Sequence, residues 1–249
     1  MKLTINFFLL FLFVLCQPVL AQSASEDTTL VTSAITQFEK QYGAYYPVHP
    51  QLFNGPQYVD YSTRYHKKTG HQLFAVAEKQ NGNLYYNNQY FSGLQFTYDV
   101  VLQQIVLQHP TTPLYLRLIN EKVSYFTLGG HRFTRVVIDS LSDQILRTGF
   151  YEVLVDGNVE LLANRSKQMQ EKIENTYINV EFIVTDKLFL KKNGAYHTVN
   201  KKSSILKILA DRSEELKKYS SSKKLKFKKS TRESSIVQLV EYYCSLAAK

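Results

Sequence analysis

Hydrophobic side chains fall at every second position in several runs between residues 72 and 200. The clearest runs are Leu94, Phe96 and Tyr98; Leu114, Leu116 and Leu118; and Ile178, Val180, Phe182 and Val184. Alternation of this kind is typical of β-strands with one buried face. It predicts a sheet of about nine to eleven strands over residues 71–200.

Four dipeptides mark the turns of this predicted sheet: Asn81-Gly82, Gly129-Gly130, Asp156-Gly157 and Asn193-Gly194. Each can adopt positive φ at both central positions of the tight turn that joins antiparallel strands. They predict an antiparallel meander built from hairpins, which curls into an open barrel or folds as a sandwich. A charged stretch at residues 165–176 interrupts the pattern and is interpreted as a loop or a short helix.

The period becomes helical after residue 201. Ser203 or Ser204 can cap a short helix, and two further helices begin at spacings typical of a capping box, Asp211 with Glu214 and Ser230 with Glu233. One half of the last helix is apolar and comprises Ile236, Val237, Leu239, Val240, Tyr243, Cys244, Leu246 and Ala247. This half is expected to pack on an open face or end of the sheet. The fold class is therefore α+β.

The N-terminus resembles a secretory signal peptide over residues 1–21. Lys2 is basic, residues 7–16 are continuously apolar, and Ala21 precedes the expected cleavage point. The apolar run is half as long as the roughly 20 residues that span a bilayer, which disfavours a membrane anchor. The sequence therefore predicts export to the periplasm or the cell surface, with no transmembrane segment after the signal is removed.

The remaining residues, 22–249, are interpreted as a single domain. It comprises an N-terminal helix and irregular arm (22–70), the antiparallel β region (71–200), and a basic helical tail packed on the sheet (201–249). Cys244 is the one cysteine outside the signal peptide, so an internal disulfide is excluded. Its place on the apolar half of the last helix favours a buried hydrophobe over a reactive thiol.

Two stretches carry a family resemblance: the arm Asn54–Tyr61, and the tail from Lys201-Lys202-Ser203 through Asp211 to Val240-Glu241-Tyr242-Tyr243. Together they resemble a family of uncharacterised exported bacterial proteins, mostly from the Bacteroidota. The resemblance implies a bacterial, exported protein. It implies no activity and no site residues.

The positive charge is concentrated in the tail. Residues 201–230 carry eleven basic and three acidic side chains, a net charge of +8, which equals that of the whole chain after residue 21. Five lysines are interleaved with Leu225 and Phe227: Lys223, Lys224, Lys226, Lys228 and Lys229. Such a segment can bind anionic lipid, acidic polysaccharide or an acidic envelope protein. The alternative is a solvated surface that maintains solubility, and export argues against nucleic acid.

Tyrosine is concentrated in the arm, since nine of the 18 tyrosines lie within residues 42–90. Tyr58, Tyr61 and Tyr65 are candidates for aromatic contact with a ligand or a protein partner. The alternative is that these tyrosines pin an irregular arm to the sheet.

Catalytic and metal-binding motifs are absent from the sequence. It contains no His-Glu-x-x-His, no Gly-x-Ser-x-Gly, no phosphate-binding glycine loop and no dinucleotide fingerprint. The pattern therefore favours a non-catalytic binding module, with no catalytic, cofactor or metal residue assigned. Two alternatives remain: a carrier of a small apolar ligand inside the curled sheet, and a hydrolase whose carboxylate pair comes from separate strands.

Overall fold

The computed structural model describes residues 49–138 and 145–247, together with residues 33, 34 and 37, which are helical. The predicted signal peptide lies outside these ranges, as does most of the segment 30–42 in which a short helix is predicted. All features described below belong to one compact unit that starts at Pro50.

The described residues form thirteen strands and three α-helices. The strands are β1 (Lys67–Thr69), β2 (Gln80–Tyr86), β3 (Gln89–Asp99), β4 (Gln104–Gln108), β5 (Tyr115–Arg117), β6 (Val123–Leu128), β7 (His131–Val136), β8 (Gly149–Val155), β9 (Glu160–Asn164), β10 (Lys167–Glu174), β11 (Tyr177–Val184), β12 (Lys187–Lys192) and β13 (Ala195–Val199). The helices are α1 (Lys202–Ile208), α2 (Ser213–Ser222) and α3 (Arg232–Ala247). Short 3-10 turns cover Pro50–Phe53, Tyr61–Arg64, Asn120–Lys122 and Ala210–Arg212.

Ten of these strands form one large sheet in the order β13-β12-β9-β8-β7-β6-β2-β3-β4-β5, and all neighbours in it are antiparallel. The order is linear, so the sheet does not close. The predicted α+β class, with an antiparallel meander followed by C-terminal helices, is confirmed. A second sheet of three strands, β1-β11-β10, was not expected from the pattern.

Two of the four predicted turns are two-residue hairpin turns. Gly129-Gly130 and Asn193-Gly194 have positive φ at both positions and join β6 to β7 and β12 to β13. The prediction for Asn81-Gly82 is wrong, because both residues lie inside β2 and the turn falls at Asn87 and Asn88 instead. Asp156-Gly157 lies in the longer connection between β8 and β9.

Gly82 is required by the packing of β2. A Cβ atom there would lie 2.0 Å from the Thr127 carbonyl oxygen on β6 and 2.8 Å from the Phe96 ring on β3. The register of β2 against β3 also shifts between Gly82 and Leu84. A glycine inside a strand with these features marks a bulge and a close approach of two backbones.

The interpretation of residues 165–176 as a loop or helix is wrong, since Lys167–Glu174 forms strand β10. This strand pairs with β11 along its whole length, from Lys167 opposite Val184 to Glu174 opposite Tyr177. Most of its residues are exposed, and Ile173 is 77 % exposed. Met169 and Ile173 are its only apolar side chains, so the strand has no sustained apolar alternation that the pattern could reveal.

One face of the large sheet carries two cores. The aromatic core fills the curl of β2 to β8 and includes Phe96, Tyr98, Phe126, Phe133 and Phe150. Phe126 and Phe133 stack with their ring centroids 4.7 Å apart, and each is 0 % exposed. The helical core lies under the three helices, where Ile236, Leu239 and Val240 of α3 are fully buried. The predicted packing of the last helix on the sheet is confirmed.

The Asp211–Glu214 spacing predicts a capping box that does not form, because α2 begins without a side-chain cap. Asp211 instead accepts hydrogen bonds from Lys192 Nζ at 2.6 Å and the Tyr243 hydroxyl at 2.8 Å. Asp211 therefore links the start of α2 to β12 and to α3. Glu214 instead pairs with Lys217 on the surface of its own helix.

The close contact at Gly82 leads to a stability prediction. We expect Gly82→Ala to lower the free energy of unfolding by about 2–3 kcal/mol, since the added methyl group meets backbone that cannot move aside. Urea unfolding followed by circular dichroism measures it. Gly149→Ala is the matched control, because its Cβ meets only the Gln103 side-chain oxygen at 3.3 Å. Equal losses in both variants would contradict this account of Gly82.

Candidate functional site

The five candidate lysines lie on the connection between α2 and α3, residues 223–229, which we call the lysine loop. All five lysines are exposed, whereas Leu225 and Phe227 are half-buried and pack against the helical core. None of the five forms an ion pair with a residue in the described part of the chain. The loop thus presents five exposed ammonium groups that are not engaged in ion pairs within the described part of the chain.

Backbone hydrogen bonds hold the first half of the lysine loop. Lys224 has a φ of +51° and follows the end of α2. Its N–H donates to the Ser221 carbonyl at 3.1 Å, and the Leu225 N–H donates to the Ser220 carbonyl at 3.0 Å. This pair of bonds is a Schellman motif, which ends a helix at a residue of left-handed conformation.

The side chains of Thr231, which directly precedes α3, and of Ser235 in α3 hold the second half of the loop. The Lys226 carbonyl accepts hydrogen bonds from Thr231 Oγ1 at 2.6 Å and Ser235 Oγ at 2.8 Å. Leu225 and Phe227 pack inward, whereas Lys226 between them and Lys228 after them are exposed, which is the alternation seen in a strand. The lysine loop is therefore ordered before it meets any partner.

The candidate tyrosines do not form one surface. The Tyr58 and Tyr61 hydroxyls donate to the two carboxylate oxygens of Asp99, at 2.8 and 3.3 Å. Tyr65 is only 5 % exposed, packs with Val180 and Phe182, and bonds its hydroxyl to Glu171. These contacts favour the second interpretation of the tyrosines, in which they pin the arm to the two sheets.

Asp99 organises the arm at the end of β3. Its side chain is 0 % exposed and also accepts hydrogen bonds from the backbone N–H groups of Val101 and Leu102. Burial raises the pKa of both Tyr58 and Tyr61, and the charge of Asp99 raises them further. Burial also raises the pKa of Asp99, against the lowering effect of its hydrogen bonds. The two tyrosines thus act as neutral donors throughout the neutral pH range.

Loss of one donor to Asp99 should weaken the fold. We expect Tyr58→Phe to lower the free energy of unfolding at neutral pH by about 1–3 kcal/mol, because one buried carboxylate oxygen loses its partner. A tyrosine with a raised pKa contributes stability that is present below the ordinary tyrosine pKa of 10.0 and is lost as pH rises above it. The deficit of the variant should therefore narrow above that pH.

Urea unfolding at neutral and at alkaline pH measures this deficit. Tyr90→Phe is the matched control, since Tyr90 is 56 % exposed, and it should have little effect at either pH. A deficit for Tyr58→Phe that stays constant into the alkaline range would contradict the role given to burial.

A third cluster, which the sequence did not indicate, surrounds Arg165. Its Nε donates to Glu152 Oε2 at 2.5 Å, and one terminal nitrogen donates to Asp186 Oδ2 at 2.8 Å. Both terminal nitrogens donate to the Glu233 carboxylate, at 2.7 and 2.8 Å. The other oxygen of Glu152 contacts His131 Nδ1 at 2.5 Å. This Arg165 cluster joins β7, β8, the β11–β12 connection and α3.

The contacts of the Arg165 cluster indicate that it stabilises the fold. Each of the three carboxylates accepts a hydrogen bond from the same guanidinium, so each already has a cationic partner. Burial lowers the pKa of Arg165, but hydrogen bonds and charges from Glu233, Glu152 and Asp186 raise it overall, so the cation is permanent. Within the described ranges, no group of three or more His, Cys, Asp or Glu side chains could hold a metal ion.

Removal of the Arg165 guanidinium should destabilise the folded protein. We expect Arg165→Met to lower the free energy of unfolding by about 3–5 kcal/mol, because Glu152 is left buried without its cation. The double variant Arg165→Met/Glu152→Gln should regain part of that loss. A double-mutant cycle by urea unfolding measures the coupling. Additive losses would show that the two side chains act independently.

The described helices include none that is both long enough and apolar enough to cross a bilayer. Comparison of the chain with protein-family models, curated proteins and solved structures finds no match in any of the three. The resemblance to an exported bacterial family therefore stays a prediction.

Proposed function

We propose that this protein is an exported, non-catalytic module that attaches to an anionic component of the cell envelope through its lysine loop. The observation that carries the proposal is the loop itself: five exposed lysines within residues 223–229, held in one conformation from both ends. Export rests on the predicted signal peptide at residues 1–21.

The position of the charges favours a surface contact. A basic residue near an anionic lipid surface contributes about 1 kcal/mol to binding, and the attraction decays over about 8–10 Å at physiological salt. Several lysines must therefore lie close together at the anionic surface for their attractions to add. The lysine loop meets this condition with five ammonium groups in seven residues. Because the loop is already ordered, its binding costs less conformational entropy than that of a flexible tail.

The other half of the tail charge is arranged differently. The remaining five lysines, Lys201, Lys202, Lys207, Lys217 and Lys218, lie on or beside α1 and α2. Lys217 is paired with Glu214 at 2.6 Å, so its charge is already partly neutralised. The chain thus provides an internal control with the same number of lysines.

The other functions considered have less support. A ligand inside the curled sheet would need an internal cavity, and the aromatic core fills that space with fully buried rings. A hydrolase would need a carboxylate pair that is free to react, and the carboxylates around Arg165 are bound to its guanidinium. An acidic envelope protein would be recognised by the same lysines and is an outcome of the test below.

The proposal is tested by sedimentation with vesicles that contain phosphatidylglycerol. Replacing all five lysines of the loop by Gln should weaken vesicle binding by more than about a hundredfold, given about 1 kcal/mol for each basic residue. Replacing the five helix-associated lysines by Gln should reduce binding far less. Vesicles of phosphatidylcholine alone should not bind the wild-type protein.

Equal losses in the two five-lysine variants would show that only net charge matters and would contradict a site at the loop. Crosslinking in whole cells distinguishes the source of the anionic groups. Capture of one acidic envelope protein, together with no binding to anionic vesicles, would replace the lipid surface by a protein partner.

A further inference from the structure

A cleft of about 680 Å³ lies on the face of the large sheet opposite the aromatic core. Its floor is formed by Tyr151 of β8 and Phe189 of β12, and its walls by the start of β10, the loop after β3 and residues 145–149. The volume is within the range of about 300–1,000 Å³ that is typical of small-molecule sites. The cleft is remote in sequence from the lysine loop, which contributes no lining residue.

The charged side chains described in this cleft all have the same sign. Arg147, Lys167 and Lys187 line it, and none of its described lining residues carries a carboxylate. The two acidic residues whose charges act on Lys167 are already engaged. Asp186 accepts hydrogen bonds from Arg165 and from the Ser166 N–H, and Asp99 accepts them from the tyrosine arm. Among the described residues, the lining therefore offers an anion three cationic side chains and no carboxylate.

The fold holds one of these cations and the backbone of a second. The Lys167 ammonium donates to the carbonyls of His71 and Leu73, each at 2.7 Å, which leaves one of its three hydrogens for another acceptor. The backbone of Arg147 is fixed by Tyr151, whose hydroxyl donates to the Arg147 carbonyl at 2.8 Å and accepts from its N–H at 3.2 Å. The Arg147 guanidinium and the Lys187 ammonium form no ion pair with any residue in the described ranges.

The cleft also has an apolar side. Tyr151 and Phe189 contact each other edge to face, with centroids 5.9 Å apart, and form the floor. Val101 and Ile145 line the wall, and Ile145 is 47 % exposed. An exposed isoleucine next to cationic side chains is suited to a molecule that has both an apolar body and a charged end.

We propose that this cleft binds a small amphiphilic anion, whose carboxylate or phosphate group is held by Arg147, Lys167 and Lys187 and whose apolar part packs against Val101 and Ile145. Burial of Lys167 lowers its pKa, and a bound anion would offset that cost. The lysine loop plays no part in this site, so the cleft does not depend on the function proposed above.

The test is isothermal titration of the purified protein with laurate below its micelle concentration. Laurate should bind, whereas acetate, which lacks the apolar part, and dodecyltrimethylammonium, which has the opposite charge, should not. Dodecyl phosphate, compared with laurate, identifies the preferred head group. The double variant Arg147→Gln/Lys187→Gln should weaken laurate binding by at least about tenfold, since charge-assisted hydrogen bonds are lost. Lys167 is left unchanged because it also bonds backbone.

Methyl resonances locate the ligand. Shifts of the Val101 and Ile145 methyl groups on addition of laurate, and weaker binding by Ile145→Asp, would place the apolar part in the cleft. The variant with all five loop lysines replaced by Gln should bind laurate as the wild type does. The proposal is overturned if laurate does not bind, if Arg147→Gln/Lys187→Gln binds it equally well, or if the loop variant loses binding.

Discussion

The guanidinium of Arg165 is the contact on which the arrangement of sheet and helices depends. Its partner Glu152 lies on β8 directly between Phe133 of β7 and Ala163 of β9, and those two neighbours belong to the aromatic and the helical core, respectively. A buried carboxylate at this boundary is tolerated only with a cation beside it. The same guanidinium binds Glu233 at the start of α3. The cation that pairs with Glu152 in the sheet therefore also positions the helix that follows the lysine loop.

Much of the fold could be predicted from local sequence. Alternation along β3 and β11 and the turn at Gly129-Gly130 indicate an antiparallel meander, and the apolar half of α3 indicates its packing face. The second sheet could not be predicted, because most of β10 is exposed and β1 joins β11 across more than a hundred residues of sequence. Asn81-Gly82 has the composition of a turn, but the backbone of β6 approaches too closely at that point for any residue larger than glycine.

The candidate sites were predictable to different degrees. The lysine loop is a contiguous charge run, so the sequence located it, and the structure adds the contacts that order it. The Arg165 cluster is assembled from residues 13, 21 and 68 positions away from Arg165, and the cleft takes its cations from three separate segments. No local sequence pattern can indicate residues that only the fold brings together. For the tyrosines, the composition of the arm suggested a surface for a ligand or partner. Their hydroxyls instead bond to Asp99 and Glu171 within the fold.

We propose that five particular lysines, rather than the overall positive charge, contact an anionic surface. Acetylation of lysines in the wild-type protein, followed by mass spectrometry with and without phosphatidylglycerol vesicles, compares all ten tail lysines in one sample. We predict that the vesicles slow the acetylation of Lys223, Lys224, Lys226, Lys228 and Lys229, while the helix-associated lysines react at an unchanged rate. Equal protection of both groups, or protection of neither, would contradict the account.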